Sequence, residues 1–429
     1  MIKSITIWKG LIVVIFFIFV LIFLWNQFKF VPFHEDEYYF LDRSFTVELL
    51  ADKKFGDEVW SRYFSYDQPK LAEFAYGLYL SKLSREKGVK EYLRSYGFYD
   101  DKQKPYKERW WRRSSGEEIE SLSAEIQQRS TPVLEARRVS LIASFNSLIL
   151  MFLIGVKLRG LMFGLLSAGL LLENRLFLES TLRAMADSFL LFFLLLTFYL
   201  SLFFIERVNS KKNENLTGLS VGIGMSTGLA IASKLNGGLG LIYFFILFIA
   251  LMFFGRLNKE KEWRLIKALA IIIITLFLVF ILFNPFTWGQ PVKNSLFMFS
   301  HRINMGGQQG LYSKMPLVSL MDKLIGVYER VFSPLGDYGL LQKLFIGTAF
   351  FIIGLFTLVE GLLKSKKANL ISQDLALVLW AVVVLITVVI YIPMDWERYY
   401  LPIFPGVILV QLMGIFGVVK WLKESYEKK

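Results

Sequence analysis

The 429-residue chain contains no cysteine and only two histidines, His34 and His301. The first absence excludes disulfides, thiolate metal ligands and a cysteine nucleophile, and leaves the redox compartment open. The second argues against a histidine-built metal centre. The sequence implies no cofactor and gives no support for a divalent metal. Small residues that could form a cleavage site do not follow the first apolar run, Leu11 to Leu24, so a retained signal anchor is expected. No internal repeat recurs at a fixed period.

What the chain does have is hydrocarbon. Hydrophobic residues make up 55% and aromatics 16%, and the mean hydropathy is positive. That composition belongs to polytopic membrane proteins. A crossing helix needs about 20 apolar residues. Candidate spans lie near 7–28, 138–156, 161–178, 187–205, 217–233, 238–255, 267–284, 341–362, 372–392 and 401–419. The fold expected is therefore all-α, a polytopic membrane protein of about ten or more transmembrane helices, in one domain over 1–429.

The formal charge of +13 would suit nucleic acid, but its distribution points elsewhere. Lys157 and Arg159, then Arg207, Lys211 and Lys212, then Arg256, Lys259, Lys261 and Arg264 collect in alternate connections. Lys364, Lys366 and Lys367 follow, and the tail adds Lys420, Lys423, Lys428 and Lys429. This is the positive-inside pattern, which predicts both termini in the cytoplasm of a multi-pass cell-membrane protein with no nucleic-acid partner. The acceptor-like triplet Asn215-Leu216-Thr217 falls on the cytoplasmic side by the same reasoning, which cancels its glycosylation signal.

Two longer segments then lie outside, 30–136 and 285–340. In the first, apolar Leu71, Phe74, Ala75, Leu78 and Tyr79 follow Gln68-Pro69 at helical spacing, which predicts a one-sided helix lying in the interface. The stretch near 85–130 reads as a polar helical insertion, with WWRR at 110–113 as an interfacial anchor. Asn284-Pro285 reads as a helix end.

The external side collects ionisable residues near one level. Asp36 and Glu37 follow the first span within HEDEYYF, and Asp67 precedes the interfacial helix. Arg183 and Asp187 sit at the outer end of the fourth span, Lys234 between the fifth and sixth, and Arg398 before the last. Helix-exit acids and salt bridges between helix ends would use the same residues, and a solvated histidine is the plainer reading of His34. Yet ionisable groups at membrane depth are costly and usually functional. Carboxylates with cations at a bilayer surface suit a lipid-linked phosphosugar. The cations would hold the phosphate and stabilise it as a leaving group, and a carboxylate would take the proton from an incoming hydroxyl.

HEDEYYF followed by YDQPKLAEF resembles the first external loop of the polyprenyl-phosphate-sugar glycosyltransferases of the GT-C class. The nearest groups are the protein O-mannosyltransferases (glycosyltransferase family 39) and the lipid A aminoarabinose transferases. ARRVSLIASFNSLILMFLIGVKLRG at 136–160 resembles their second span, and LFLESTLRAMADSFLLFFLLL their arginine-and-aspartate element. ERYYLPIFPG resembles their final RY-x-x-P-x-x-P. The ordered set covers most of the chain.

The resemblance implies a GT-C-like fold and an inverting membrane glycosyltransferase. It would move a sugar from a polyprenyl phosphate to an extracytoplasmic protein, lipid or glycan hydroxyl in the cell envelope. By position, Asp36 becomes the catalytic base and Glu37 its neighbour. Asp67, Lys70, Arg183, Asp187, Lys234, Arg398 and Tyr399 become substrate contacts, with Arg183 and Asp187 equally able to pair with each other. Two departures stand out. Gln68-Pro69-Lys70 replaces the His-Pro-Pro of many mannosyltransferases, and Gln68 stands where the aminoarabinose enzymes place a lysine, leaving open whether Lys70 substitutes. The polar insertion fits neither pattern. A flippase or transporter of lipid-linked sugars would instead place charges mid-span and pair broken helices. A noncatalytic scaffold could share the fold.

Overall fold

The computed structural model describes residues 2–85, 87–96, 131–210, 215–254, 258–312, 316–333, 338–344, 346–367 and 372–427. The WWRR anchor, most of the polar insertion, Lys211, Lys212 and Arg256 lie outside these residues. Among them, seven helices run up to and include the second span: α1 (Ile2–Gln27), α2 (Glu35–Arg43), α3 (Thr46–Ala51), α4 (Tyr63–Asp67), α5 (Leu71–Ser84), α6 (Val89–Ser95) and α7 (Thr131–Arg159). Then come α8 (Leu161–Glu173), α9 (Arg175–Leu182), α10 (Asp187–Asn209), α11 (Thr217–Ser233), α12 (Gly238–Phe254) and α13 (Lys259–Leu282). The last group is α14 (Pro291–Tyr312), α15 (Leu320–Val327), α16 (Leu340–Lys343), α17 (Gly347–Lys367), α18 (Gln373–Tyr391) and α19 (Ile403–Glu427). Among the described residues the only β pairing is an isolated bridge between Pro316 and Met394.

All ten apolar segments are helical, but not all are crossings of full length. Eight helices among the described residues are long and apolar enough to span a bilayer. The pair α8–α9 makes a ninth if counted as one span; it bends by 70° at Asn174. The tenth segment, α11, has only 17 residues. Among the described residues full-length crossings therefore number eight, or nine with the bent pair, and the short α11 is the tenth apolar segment. Hydropathy sums over a window and cannot see a break or a short helix inside it.

Contacts group the chain into two compact units. The first comprises Met1–Asn146, Leu178–Phe189 and Asn284–Phe286. Its core joins Tyr38 and Leu41 of α2, Ala72, Tyr76 and Leu80 of α5, and Val133 and Ala136 of α7. The face that α5 buries is therefore Ala72, Glu73, Phe74, Tyr76, Gly77 and Leu80, and Leu78 is exposed. Packing against α2, α3 and α6 sets this buried face, which shares Phe74 with the apolar face read from the sequence.

The second unit comprises Ser147–Phe177, Leu190–Phe283 and Thr287–Lys429. Its tightest helix pair is α17 with α19. A side chain at Gly354 would strike the Val410 carbonyl, and one at Gly414 the Phe350 carbonyl. Glycine lets the two backbones touch, which suits helices that associate by close packing in lipid. Phe198 and Tyr243 pack on Trp380 at ring separations of 4.9 and 5.0 Å, joining α10, α12 and α18. Exposed apolar side chains such as Ile274, Leu278 and Leu282 on α13 and Phe356 and Leu363 on α17 face outward, as expected of surfaces in hydrocarbon.

Candidate active site

In the first unit the site is built around the start of α2. His34 is the N-cap, with extended backbone, and its Nδ1 accepts the amide of Asp36 at 3.1 Å. That lone pair is occupied, so the 3.9 Å approach of Nδ1 to the Asp36 carboxylate is not an ion pair of a protonated ring. His34 returns its own amide to Glu37 Oε2 at 3.0 Å. Reciprocal capping satisfies orphan amides and sets the first turn, where carboxylates also meet the positive end of the helix dipole. His34 thus has a structural task that its sequence context did not disclose.

Glu37 is fully buried, and so is its partner Arg137 on α7. Arg137 Nε donates to Oε1 and NH2 to Oε2, both at 2.7 Å, a fork-to-fork pair. Its NH1 reaches back to the carbonyls of Phe28 at 3.1 Å and Val31 at 2.8 Å. Glu37 Oε1 also accepts the Ala184 amide at 2.7 Å. Burial alone would raise the Glu37 pKa, but the Arg137 charge and these hydrogen bonds outweigh it and hold the carboxyl below its usual range.

The Arg183–Asp187 element is fastened from two sides. Besides Ala184, its Met185 carbonyl accepts Tyr76 OH at 2.7 Å, and that hydroxyl lies 2.8 Å from Ser140 Oγ. Arg183 Nε donates to the Pro32 carbonyl at 3.0 Å, and its NH2 lies 3.9 Å from Glu179. Asp187 begins α10 and is buried. Asp36, one residue before Glu37, keeps about a quarter of its side chain exposed, at 27%. So a partly open carboxylate stands on a mount held by Glu37, Arg137 and the 183–185 turn.

Asp67 closes α4 and is buried. Lys70 is fully buried, and its Nζ donates to both Glu73 oxygens at 3.0 and 2.9 Å; Arg43 NH1 lies 4.0 Å from Glu73. Burial pulls the Lys70 pKa down to about 8 against the pull of Glu73. The structure gives Lys70 to an internal pair, an arrangement its place as a substrate contact did not anticipate.

In the second unit, Lys234 follows the last residue of α11, with its Nζ 5.7 Å from the Tyr399 ring centroid. The Tyr399 ring stacks on Trp396 at 5.9 Å and 9°, and the Arg398 guanidinium lies 4.8 Å from the Trp396 ring. Two cations nominated from sequence are thus joined through an aromatic pair. Arg330 steadies this segment, with NH2 2.8 Å from Asp395 Oδ2 and NH1 3.1 Å from Glu397, while Tyr400 OH donates to Asp395 at 2.8 Å. The Asp395 hydrogen bonds push the already high Arg330 pKa further up.

Beside Tyr399 is a cavity of about 240 Å³ lined by Leu239, Ile242, Arg302 and Tyr391. A second, of about 550 Å³, shares Arg302, Ile303, Thr387 and Tyr391 with it. Arg302 lies in the second external segment, where the sequence left open whether it reaches down from the loop or lies on an ordinary surface helix; the fold of α14 brings it to these walls. Arg137 was missed because an arginine ahead of an apolar span reads as a flank charge. Among the described residues no group of three or more His, Asp or Glu side chains is placed to hold a metal.

Comparison with known proteins matches residues 116–288 to the family described as dolichyl-phosphate-mannose-protein mannosyltransferase. No curated protein sequence matches. Among solved structures, ArnT from Cupriavidus metallidurans bound to undecaprenyl phosphate is similar with a TM-score of 0.54 at 15% identity, covering 94% of this chain. Its apo state gives a TM-score of 0.56 at 14% identity, covering 96% of this chain. The chain spans 60% of the length of either ArnT structure. The Archaeoglobus fulgidus oligosaccharyltransferase in its apo form matches at a TM-score of 0.42 and 13% identity, covering 68% of this chain and 41% of its own. The fold is ArnT-like, in agreement with the resemblance read from the ordered motifs.

Proposed function

We propose that this chain is an integral membrane glycosyltransferase that moves a sugar from a polyprenyl phosphate to an acceptor hydroxyl outside the cytoplasm. The observation that carries the proposal is the Glu37–Arg137 lock, which mounts the partly exposed Asp36 rigidly beside a membrane helix. The family match over 116–288 and the ArnT-like fold support it.

In the proposed reaction the acceptor oxygen attacks the anomeric carbon while Asp36 takes the hydroxyl proton. The carbon–oxygen bond to phosphate breaks on the opposite face, so configuration inverts. Its electron pair leaves on the polyprenyl phosphate. Lys234, Arg398 and Tyr399 are assigned to that phosphate, where fixed cations stabilise the charge that develops. Arg302 and the cavities it lines are assigned to the same donor, the apolar walls taking its prenyl chain. Asp67, Arg183 and Asp187 are assigned to substrate contact, and Glu37 to positioning. The alternation of basic connections supports a topology with both termini in the cytoplasm, and 30–136 and 285–340 outside.

The deciding experiment is Asp36→Asn, assayed for sugar transfer in membranes. Asn keeps the size and polarity of Asp without its basicity. Turnover should fall by at least about two orders of magnitude, with unfolding temperature unchanged. A severalfold loss would reduce Asp36 to a helix-end acid and shift the search for the base to Asp67.

A further inference from the structure

The basic side of the molecule carries a cavity that the transfer reaction does not use. Its volume is about 180 Å³, far above the roughly 10–15 Å³ that a single water needs. The walls come from the start of α11 (Asn215, Leu216, Thr217) and the first turns of α13 (Arg264, Lys267, Ala268, Ile271).

Its chemistry is divided. Arg264 and Lys267 supply two cations one turn apart, while Ala268 and Ile271 continue the wall as hydrocarbon. The opposite wall is the N-terminal end of α11, where Asn215 Oδ1 accepts the Thr217 amide at 2.8 Å and the N-cap residue Leu216 adds no further side-chain cap. That helix end adds partial positive charge. Among the described residues, two other basic side chains nearby have other duties. Lys261 Nζ donates to the carbonyls of Val208 and Ser210 at 3.3 and 3.4 Å, and Arg207 donates to the Asn215 carbonyl at 2.9 Å. These bonds tie α13 to the end of α10, and Arg207 to Asn215. Arg264 pairs with Glu260 along its own helix, on the α13 turn preceding it. Lys267 is exposed and lies eight residues into an apolar helix, one turn beyond the exposed Trp263. Tryptophan commonly marks the membrane–water interface, so Lys267 sits at or just below headgroup level.

We propose that this cavity binds the phosphate of an anionic membrane lipid, with Arg264, Lys267 and the start of α11 holding the headgroup and Ala268 and Ile271 taking the first methylenes. A free phosphate would use the cations but leave the apolar wall empty, and a zwitterionic lipid would bring its own ammonium against them. Basic pockets between helix ends are known settings for anionic headgroups. The site lies on the face of the basic connections, so it concerns lipid retention there rather than the donor.

The test uses the full chain in detergent, delipidated and then titrated with phosphatidylglycerol, phosphatidylcholine or inorganic phosphate, with bound lipid read by native mass spectrometry. Phosphatidylglycerol should bind saturably and the other two should not. Arg264→Gln with Lys267→Gln should weaken phosphatidylglycerol about twenty-five-fold, each charge near the surface being worth about fivefold. Lys420→Gln with Lys423→Gln, on the same basic side, should leave it unchanged. Lys267→Glu alone serves as a second probe, since one exposed charge reversal leaves the fold intact, and it should weaken binding at least as much as one neutralised charge. Unchanged affinity in both cavity variants, equal loss in the tail variant, or equal occupancy by inorganic phosphate would each overturn the proposal.

Discussion

Replacing Arg137 by methionine removes the cation of a pair whose two side chains are both fully buried. The perturbation strips Glu37 of two 2.7 Å charged hydrogen bonds and leaves its carboxylate with the amides of Ala184 and His34. It also frees the carbonyls of Phe28 and Val31. Removing one partner of a buried pair costs about 3–5 kcal/mol, most of it the uncompensated charge. At roughly 2 °C per kcal/mol in a chain this large, Arg137→Met should unfold about 6–10 °C early, and Glu37→Leu by a comparable amount. The double variant removes both charges, so it should be less damaged than the sum, with a coupling of about 1–3 kcal/mol. Arg137→Lys should not rescue, because a single ammonium cannot make the fork or reach both carbonyls. The assay is thermal loss of the monodisperse peak in detergent. Singles that each cost less than about 2 °C, or a strictly additive double, would refute the lock as the element that fixes Asp36.

Other expectations follow from the same geometry. Glu37 has a folded pKa held below its ordinary 4.5, so its stabilising contribution is complete above that pH and is lost as pH falls below it. Glu37→Gln should therefore flatten the acid limb of a melting-temperature profile, and an unchanged slope below pH 4.5 would contradict the assignment. Lys234→Met and Arg398→Met should each cost roughly 2–4 kcal/mol of transition-state stabilisation at limiting donor; normal turnover in both would make the aromatic stack structural only. Gly354→Leu should separate α17 from α19, because no side chain fits between Gly354 and the Val410 carbonyl, and a monodisperse variant of native melting temperature would disprove the close contact. Cysteine introduced at Lys212 should resist an impermeant label in intact cells; labelling from outside would invert the topology.

The membrane helices were legible because hydropathy is a local sum. All ten segments read from the sequence became helices, and a sum is blind only to their detail: the break at Asn174 and the 17-residue length of α11. The acidic pair at Asp36 and Glu37 was legible through an ordered resemblance. What Glu37 does was not, since its partner is 100 residues away and the Ala184 amide 147 away. One sequence carries no pairing information at such separations. Lys70 pairs with Glu73 only three residues away, but that pairing depends on a burial that the local sequence does not show. The Lys234–Tyr399–Trp396–Arg398 arrangement brought together residues already suspected singly, whereas Arg302 needed the fold itself.

Counted as a crossing, the 17-residue α11 rises only about 26 Å, against a hydrocarbon thickness of about 30 Å. A lipid sheet cannot leave such a gap unfilled, so it thins around a short helix at a cost of a fraction of a kcal/mol per ångström. Lys234 stands at that end of α11. The water boundary consequently dips toward it, like a shallow dimple in the leaflet. Under the donor role proposed for Lys234, an amphiphile with a long tail would then meet the ammonium without climbing out of its own layer, the membrane's deformation doing part of the work of delivery.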